Sequence, residues 1–208
     1  MRKLLLVILC AVGLGVSTEA SAQIDLGKAL GTLLNEAAAV QSAPDHYAIL
    51  RENAPAKGKV LGTWHYLSAR VEYLGVNSLA SMAIPQLETF VLSELKRNGI
   101  VEGCCSLTLN RNGVAVIGTL DQVYEGNYTY DPTTAKVKAS YTYNNHTYKV
   151  SGYLKTVSSK IALLIDMRDI LRELAVIRPS LAKDENFIMI KSVVDSFGDI
   201  YLSVLFGR

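Results

Sequence analysis

The chain has 208 residues, half of them hydrophobic, with 21 basic and 19 acidic side chains, a length that suits one domain with a sizeable core. The near balance of charge excludes the basic excess or stripe of a nucleic-acid binder, and no basic amphipathic helix marks a membrane-surface protein.

The first segment reads as a secretory signal: Arg2 and Lys3 precede the apolar run Leu4 to Leu14, and Ala20-Ser21-Ala22 supplies the small residues of a cleavage site between Ala22 and Gln23. The run is too short to span a bilayer, and Ser17, Thr18 and Glu19 follow it. Cys10 raises lipid attachment as a rival, but bulky Leu9 stands before it, so the cleaved signal is preferred. The chain is therefore expected to be extracytoplasmic, periplasmic or secreted, with no transmembrane segment after residue 22. Without Arg2, Lys3 and Glu19 the balance becomes 19 basic to 18 acidic.

Apolar residues Ile24, Leu26, Leu30, Leu33, Leu34 and Ala37 near helical spacing predict an amphipathic arm over 23–41. Ser42, Pro44, Asn53, Pro55 and Gly58 make 42–59 a linker, with a turn of helix near Ala48. The compact domain is expected over 60–208. It opens on a strand from Val60 to Val71 that carries Trp64, the only tryptophan. Leu79, Met82, Ala83, Leu87, Phe90, Val91 and Leu95 then predict a helix over Ser78 to Asn98, which Pro85 must start or kink.

Short β segments with frequent turn signals follow: Cys104 to Leu109, Val114 to Leu120, Glu125 to Tyr130, Lys136 to Tyr143, Thr147 to Leu154 and Lys160 to Ile165. Asn112-Gly113 and Asn144-Asn145 tolerate the backbone of tight hairpins. Asp166 caps a helix through Met167, Ile170, Leu171 and Leu174 that Pro179 ends. A second helix covers Phe187 to Val194, and a strand from Ile200 to Phe206 closes the chain. The fold class is α+β, mainly antiparallel β.

This succession resembles the lipocalin-like β-barrels and, more closely, a lipocalin-like family of exported Bacteroidetes proteins that is a domain of unknown function. The resemblance covers about residues 60–206. It rests on Gly62-Thr63-Trp64-His65-Tyr66, the helix leading to Asn98-Gly99-Ile100, the hairpin from Leu107 to Gly113, the run Glu125 to Asp131, and Phe197-Gly198-Asp199 to Phe206. It implies a calycin-type barrel with an inserted helix after the first strand and helices before the last, Trp64 closing one end. It brings no activity to transfer.

Histidines 46, 65 and 146 lie singly, and no nucleophile turn, phosphate-binding loop or dinucleotide fingerprint occurs, so no catalytic residue, metal site or cofactor is expected. Asp166, Asp169 and Glu173 share a helix face near Arg168 and Arg172, where capping and ion pairs outweigh acid–base chemistry. Adjacent Cys104 and Cys105 are read as strand residues facing opposite sides rather than a redox pair. Tyrosines crowd the strands. Trp64, Tyr66, Tyr128, Tyr130, Tyr141 and Tyr143 are the candidate ligand contacts, against the reading that they are strand formers and core. Expected partners are a small apolar or glycan-like ligand, by analogy of fold and from the tyrosines, or alternatively an envelope protein docking on the arm, with a hydrolase-like enzyme third.

Overall fold

The computed structural model describes residues 47–208 except 98, 120, 121, 144, 145 and 178, so the signal, the arm and the Asn144-Asn145 turn lie outside the described residues. Among the described residues, eight antiparallel strands follow one another in a closed ring: β1 (Gly62–Tyr73), β2 (Cys105–Leu109), β3 (Val114–Thr119), β4 (Val123–Asp131), β5 (Lys136–Tyr143), β6 (His146–Val157), β7 (Lys160–Asp166) and β8 (Ile200–Gly207). Closure of β8 onto β1 removes the free sheet edges that would invite edge-to-edge association. The expected barrel is present.

Alternation sends Trp64 and Tyr66 inward from β1, and a bulge between Tyr66 and Ser68 then absorbs one residue. Past it Ala69 and Val71 take the inward positions, while Ser68 and Arg70 stay exposed. Gly62, with φ of 106°, turns the chain into β1 in a backbone region open to glycine.

Three longer helices accompany the barrel. With α1 (Tyr47–Glu52) and α2 (Lys57–Val60) ahead of β1, these are α3 (Ser78–Arg97), α4 (Met167–Ile177) and α5 (Glu185–Phe197), the last two joined through a 3-10 turn at Pro179–Lys183. Of the two roles expected for Pro85, starting the helix is excluded, because it stands inside α3. The Asp184 carboxylate accepts the Phe187 amide and caps α5, and Gly198 closes that helix at φ of 61°. Asp166 caps α4 through the Arg168 amide, as its sequence position predicts.

Ala83, Leu87, Val91 and Leu95 of α3 and Met167, Ile170, Leu171, Leu174, Phe187, Ile190 and Val194 of α4 and α5 share one buried cluster with the inward strand residues. The helices are thus part of the barrel core. They also complete the hydrogen bonding where strands are short. β2 pairs only with Gly62 to His65 of β1, and the Val71 amide beyond it donates to Glu88 of α3 at 2.7 Å. β7 pairs with β6 only from Gly152 onward, and the Ser151 amide donates to Asp169 of α4 at 3.2 Å. Strand amides left without a ladder partner are satisfied here by side chains, and each carboxylate supplies an acceptor where the neighbouring strand has stopped.

The segment read as a linker holds more structure than its composition suggests. Leu50 is 1% exposed in a second cluster with Ala162, Leu164 and Tyr201 on the outer side of the barrel. Tyr47 donates to Asp199 at 2.6 Å, and Asn53 accepts from the Thr156 amide. A turn-rich composition says nothing about an apolar patch contributed by strands a hundred residues away.

Glu72, outward on β1, pairs with Lys155 at 2.5 Å and Arg70 at 2.9 Å. Burial alone would raise its carboxyl, but hydrogen bonds from Lys155, Ser203 and Arg70 outweigh that and hold it below its ordinary value of 4.5. A depressed carboxyl stabilises the fold above its unfolded pKa and loses that contribution as the pH falls through the folded one. Melting temperatures below about pH 4.5 should therefore fall more steeply for the wild type than for Glu72→Gln; parallel slopes would remove Glu72 from the account.

Candidate functional site

Four of the six candidate ligand contacts lie inside the barrel, with Trp64 4%, Tyr66 5%, Tyr128 7% and Tyr130 7% exposed. Each is engaged from within the chain. The Trp64 indole donates to the Val60 carbonyl at 2.8 Å, and the Arg208 guanidinium sits 4.4 Å from its ring centroid. Tyr130 donates to the Pro55 carbonyl at 2.7 Å and Tyr128 to the Asn110 carbonyl at 2.9 Å, while Tyr66 meets Phe206 edge-on at 6.3 Å. Burial raises the Tyr66 and Tyr130 phenols to about 12, helped at Tyr66 by Cys104 and Cys105 and at Tyr130 by Asp131. Tyr141 is separate from these: half-buried, it stacks on Tyr148 with centroids 4.8 Å apart. The Tyr143 side chain lies outside the described residues.

The structure brings together a different group that residue-by-residue reading missed. Register places Asn127 opposite Ser140, Thr129 opposite Lys138, Lys138 opposite Ser151, and Ser140 opposite Lys149. With Asp169 and Arg172 of α4 these residues line a groove of about 380 Å³, and Tyr128, Ala139 and Val150 at the alternate positions border it while their side chains point the other way. Alternation alone put the polar residues outward; only the register of three strands and the position of α4 gather them. Gly126 beside them lets β4 lie close to β5, since a Cβ there would come within 2.5 Å of the Ser140 carbonyl.

The groove is electrostatically uneven. Asp169 accepts both the amide and the hydroxyl of Ser151, the latter at 2.5 Å, and pairs with Arg172 at 2.9 Å. The sequence reading of capping and ion pairs holds for Asp166 and for the Asp169–Arg172 pair, but Asp169 also reaches across to β6, and Glu173 is 8% exposed rather than solvated. Lys138 and Lys149 are exposed and have no carboxylate partner among the described residues. Two other clefts are present: about 480 Å³ between α4 and α5, bordered by Arg168, Val176 and Lys191, and about 350 Å³ between the upper ends of β4 and β5, bordered by Tyr124 and Tyr141.

The cysteines differ from expectation. Cys104 precedes β2, in a bend where Gly103 has φ of 75° and the Cys104 amide donates to Val101, so strand alternation does not separate the two thiols. Interaction with the Cys105 thiol brings Cys104 down to about 7, whereas the same interaction and burial push Cys105 upward. Both are free thiols. Iodoacetamide at about pH 7.5 should carboxamidomethylate Cys104 well before Cys105, because the thiolate is the nucleophile. Peptide mass spectrometry over time reads this, and equal or reversed rates would refute the assignment. Among the described residues no group of three His, Cys, Asp or Glu side chains is placed to hold a metal ion.

A closed eight-stranded antiparallel barrel with a helix after its first strand and two before its last defines a lipocalin-like protein. The family described as lipocalin-like domain (DUF4923) matches residues 30–207, and the chain belongs to it. Comparison with curated proteins and with solved structures found no match. No helix among the described residues is long and apolar enough to cross a membrane.

Proposed function

We propose that this chain is a non-catalytic binding protein acting outside the cytoplasm, and that it holds a small glycan-like ligand in the groove across β4, β5 and β6. The observation that carries this reading is the groove itself: its volume of about 380 Å³ falls within the range for small-molecule sites, and its walls stand on paired strands. Asn127, Thr129, Ser140 and Ser151 offer hydroxyl and amide groups that donate and accept, the chemistry a polyhydroxylated ligand requires. Tyr128 is the one candidate tyrosine among the residues that border it, and its ring is turned into the barrel. An apolar ligand would instead have to enter among Trp64, Tyr66 and Tyr130, where α3 packs Leu87 and Val91 into the same cluster.

The test is amide NMR of the chain from Gln23 titrated with a panel of short neutral and acidic oligosaccharides and with fatty acids. A member of the sugar panel should shift amides of residues 127–129, 138–140 and 149–151, and Ser140→Trp, which fills the groove, should weaken that binding about tenfold or more. Shifts confined to the barrel interior with a fatty acid, or no sugar bound at all, would reject the groove as the site.

A further inference from the structure

We infer that the ligand of this groove is anionic, a sugar carrying a carboxylate or a sulfate ester; the inference rests on the groove being the binding site. Lys138 and Lys149 stand on neighbouring strands with their positions offset by two in register, Lys138 opposite Ser151 and Lys149 opposite Ser140. Such diagonal neighbours have Cβ atoms roughly 7–8 Å apart, within reach of long side chains on a common face. Their like charges repel, and neither has a carboxylate among the described residues to relieve it. Arg172 brings a third cation from α4, held by Asp169 at 2.9 Å.

The one acid in the lining does not neutralise this set. Asp169 already accepts the Ser151 amide and hydroxyl as well as Arg172, so its charge is used in docking α4 onto the end of the β6–β7 ladder. Arg172 also pairs with Glu173 at 3.8 Å, so two carboxylates are taken up with Arg172 and the uncompensated positive charge of the groove lies on Lys138 and Lys149. An anion between the lysines would convert repulsion into two charge-assisted hydrogen bonds, the stronger kind. The flanking Asn127, Thr129 and Ser140 would read the hydroxyls of the attached sugar, which an inorganic anion does not have.

The experiment uses matched pairs in calorimetry: uronic-acid trisaccharides against their methyl esters, and sulfated disaccharides against their desulfated forms, with inorganic sulfate as a separate arm. At least one acidic member should bind about tenfold or more tightly than its neutral partner, which corresponds to roughly 1.4 kcal/mol or more. That advantage should fall as NaCl rises from about 0.05 to about 0.5 M. Lys138→Gln with Lys149→Gln should abolish it while leaving the melting temperature unchanged or higher, because the like-charge contact is gone. Equal binding within every pair, still lost in Ser140→Trp, would overturn the anionic assignment and keep the groove. Inorganic sulfate matching the best sugar would also overturn it, and no binding by any probe would overturn both readings.

Discussion

Replacing Trp64 by alanine is expected to cost about 3–5 kcal/mol of folding stability, the range for truncating a buried large aromatic. The indole is 4% exposed and is held on three sides. Its N–H donates to the Val60 carbonyl, its face receives Arg208, and its edges lie among the inward residues of β1 and β2 that share its cluster. Arg208 in turn donates to the Lys59 and Leu61 carbonyls, at 3.2 and 2.9 Å, so one aromatic ring ties the entry to β1 to the C-terminal end of β8. Arg208→Ala should cost less, about 0.5–1 kcal/mol, since its own side is exposed. The two losses should not add in a double-mutant cycle, because each variant removes the shared contact. Urea unfolding followed by far-UV circular dichroism measures all four species. A Trp64→Ala loss under about 1 kcal/mol would mean that the indole is not a major part of the core.

Leu87→Ala is expected to cost about 2–5 kcal/mol, because Leu87 is 2% exposed at the centre of the α3 face that meets the barrel. An inserted helix that merely lay over the barrel would tolerate the change. Glu88 one position on offers an independent check. Its carboxylate accepts the Val71 amide at 2.7 Å where β2 no longer reaches, so Glu88→Ala leaves a backbone donor unsatisfied at about 1–3 kcal/mol, whereas Glu88→Gln keeps an acceptor and should recover much of that. Hydrogen exchange at Val71 separates the two accounts: protection should fall in Glu88→Ala and be largely restored in Glu88→Gln. A Leu87→Ala variant as stable as wild type, or unchanged exchange at Val71 in Glu88→Ala, would show that α3 does not complete the core.

Strand and helix order was legible in the sequence because hydrophobic period and turn chemistry are local properties. Lys136 to Tyr143 alternates as β5 does, Ser78 onward carries the α3 face at helical spacing, and Asp166 caps α4 as its position before an apolar face predicts. The strand that carries Gly62-Thr63-Trp64 was also legible, and Trp64 is buried on it next to a positive-φ glycine.

Less was legible about the candidate site. The tyrosines attracted attention by number, yet Tyr128 and Tyr130 turn their hydroxyls to the Asn110 and Pro55 carbonyls, partners far away in sequence. The vicinal cysteines were assigned to opposite faces by a rule that holds inside a strand, and β2 starts one residue too late for it to apply. The groove could not be seen at all, because Lys138, Lys149 and Arg172 become neighbours only through the β5–β6 register and the return of α4 over the end of β7.

By itself, then, the sequence determined the order of the barrel's strands and of its three longer helices, and which family succession they form, all consequences of period and local turns. Tertiary structure alone decided that the helices are core rather than cover, that Glu88 and Asp169 finish the ladders where strands stop, and that Lys138 and Lys149, without a carboxylate partner among the described residues, share a face. Those outcomes depend on which distant segments are pressed together when the ring closes, and no local pattern carries that information.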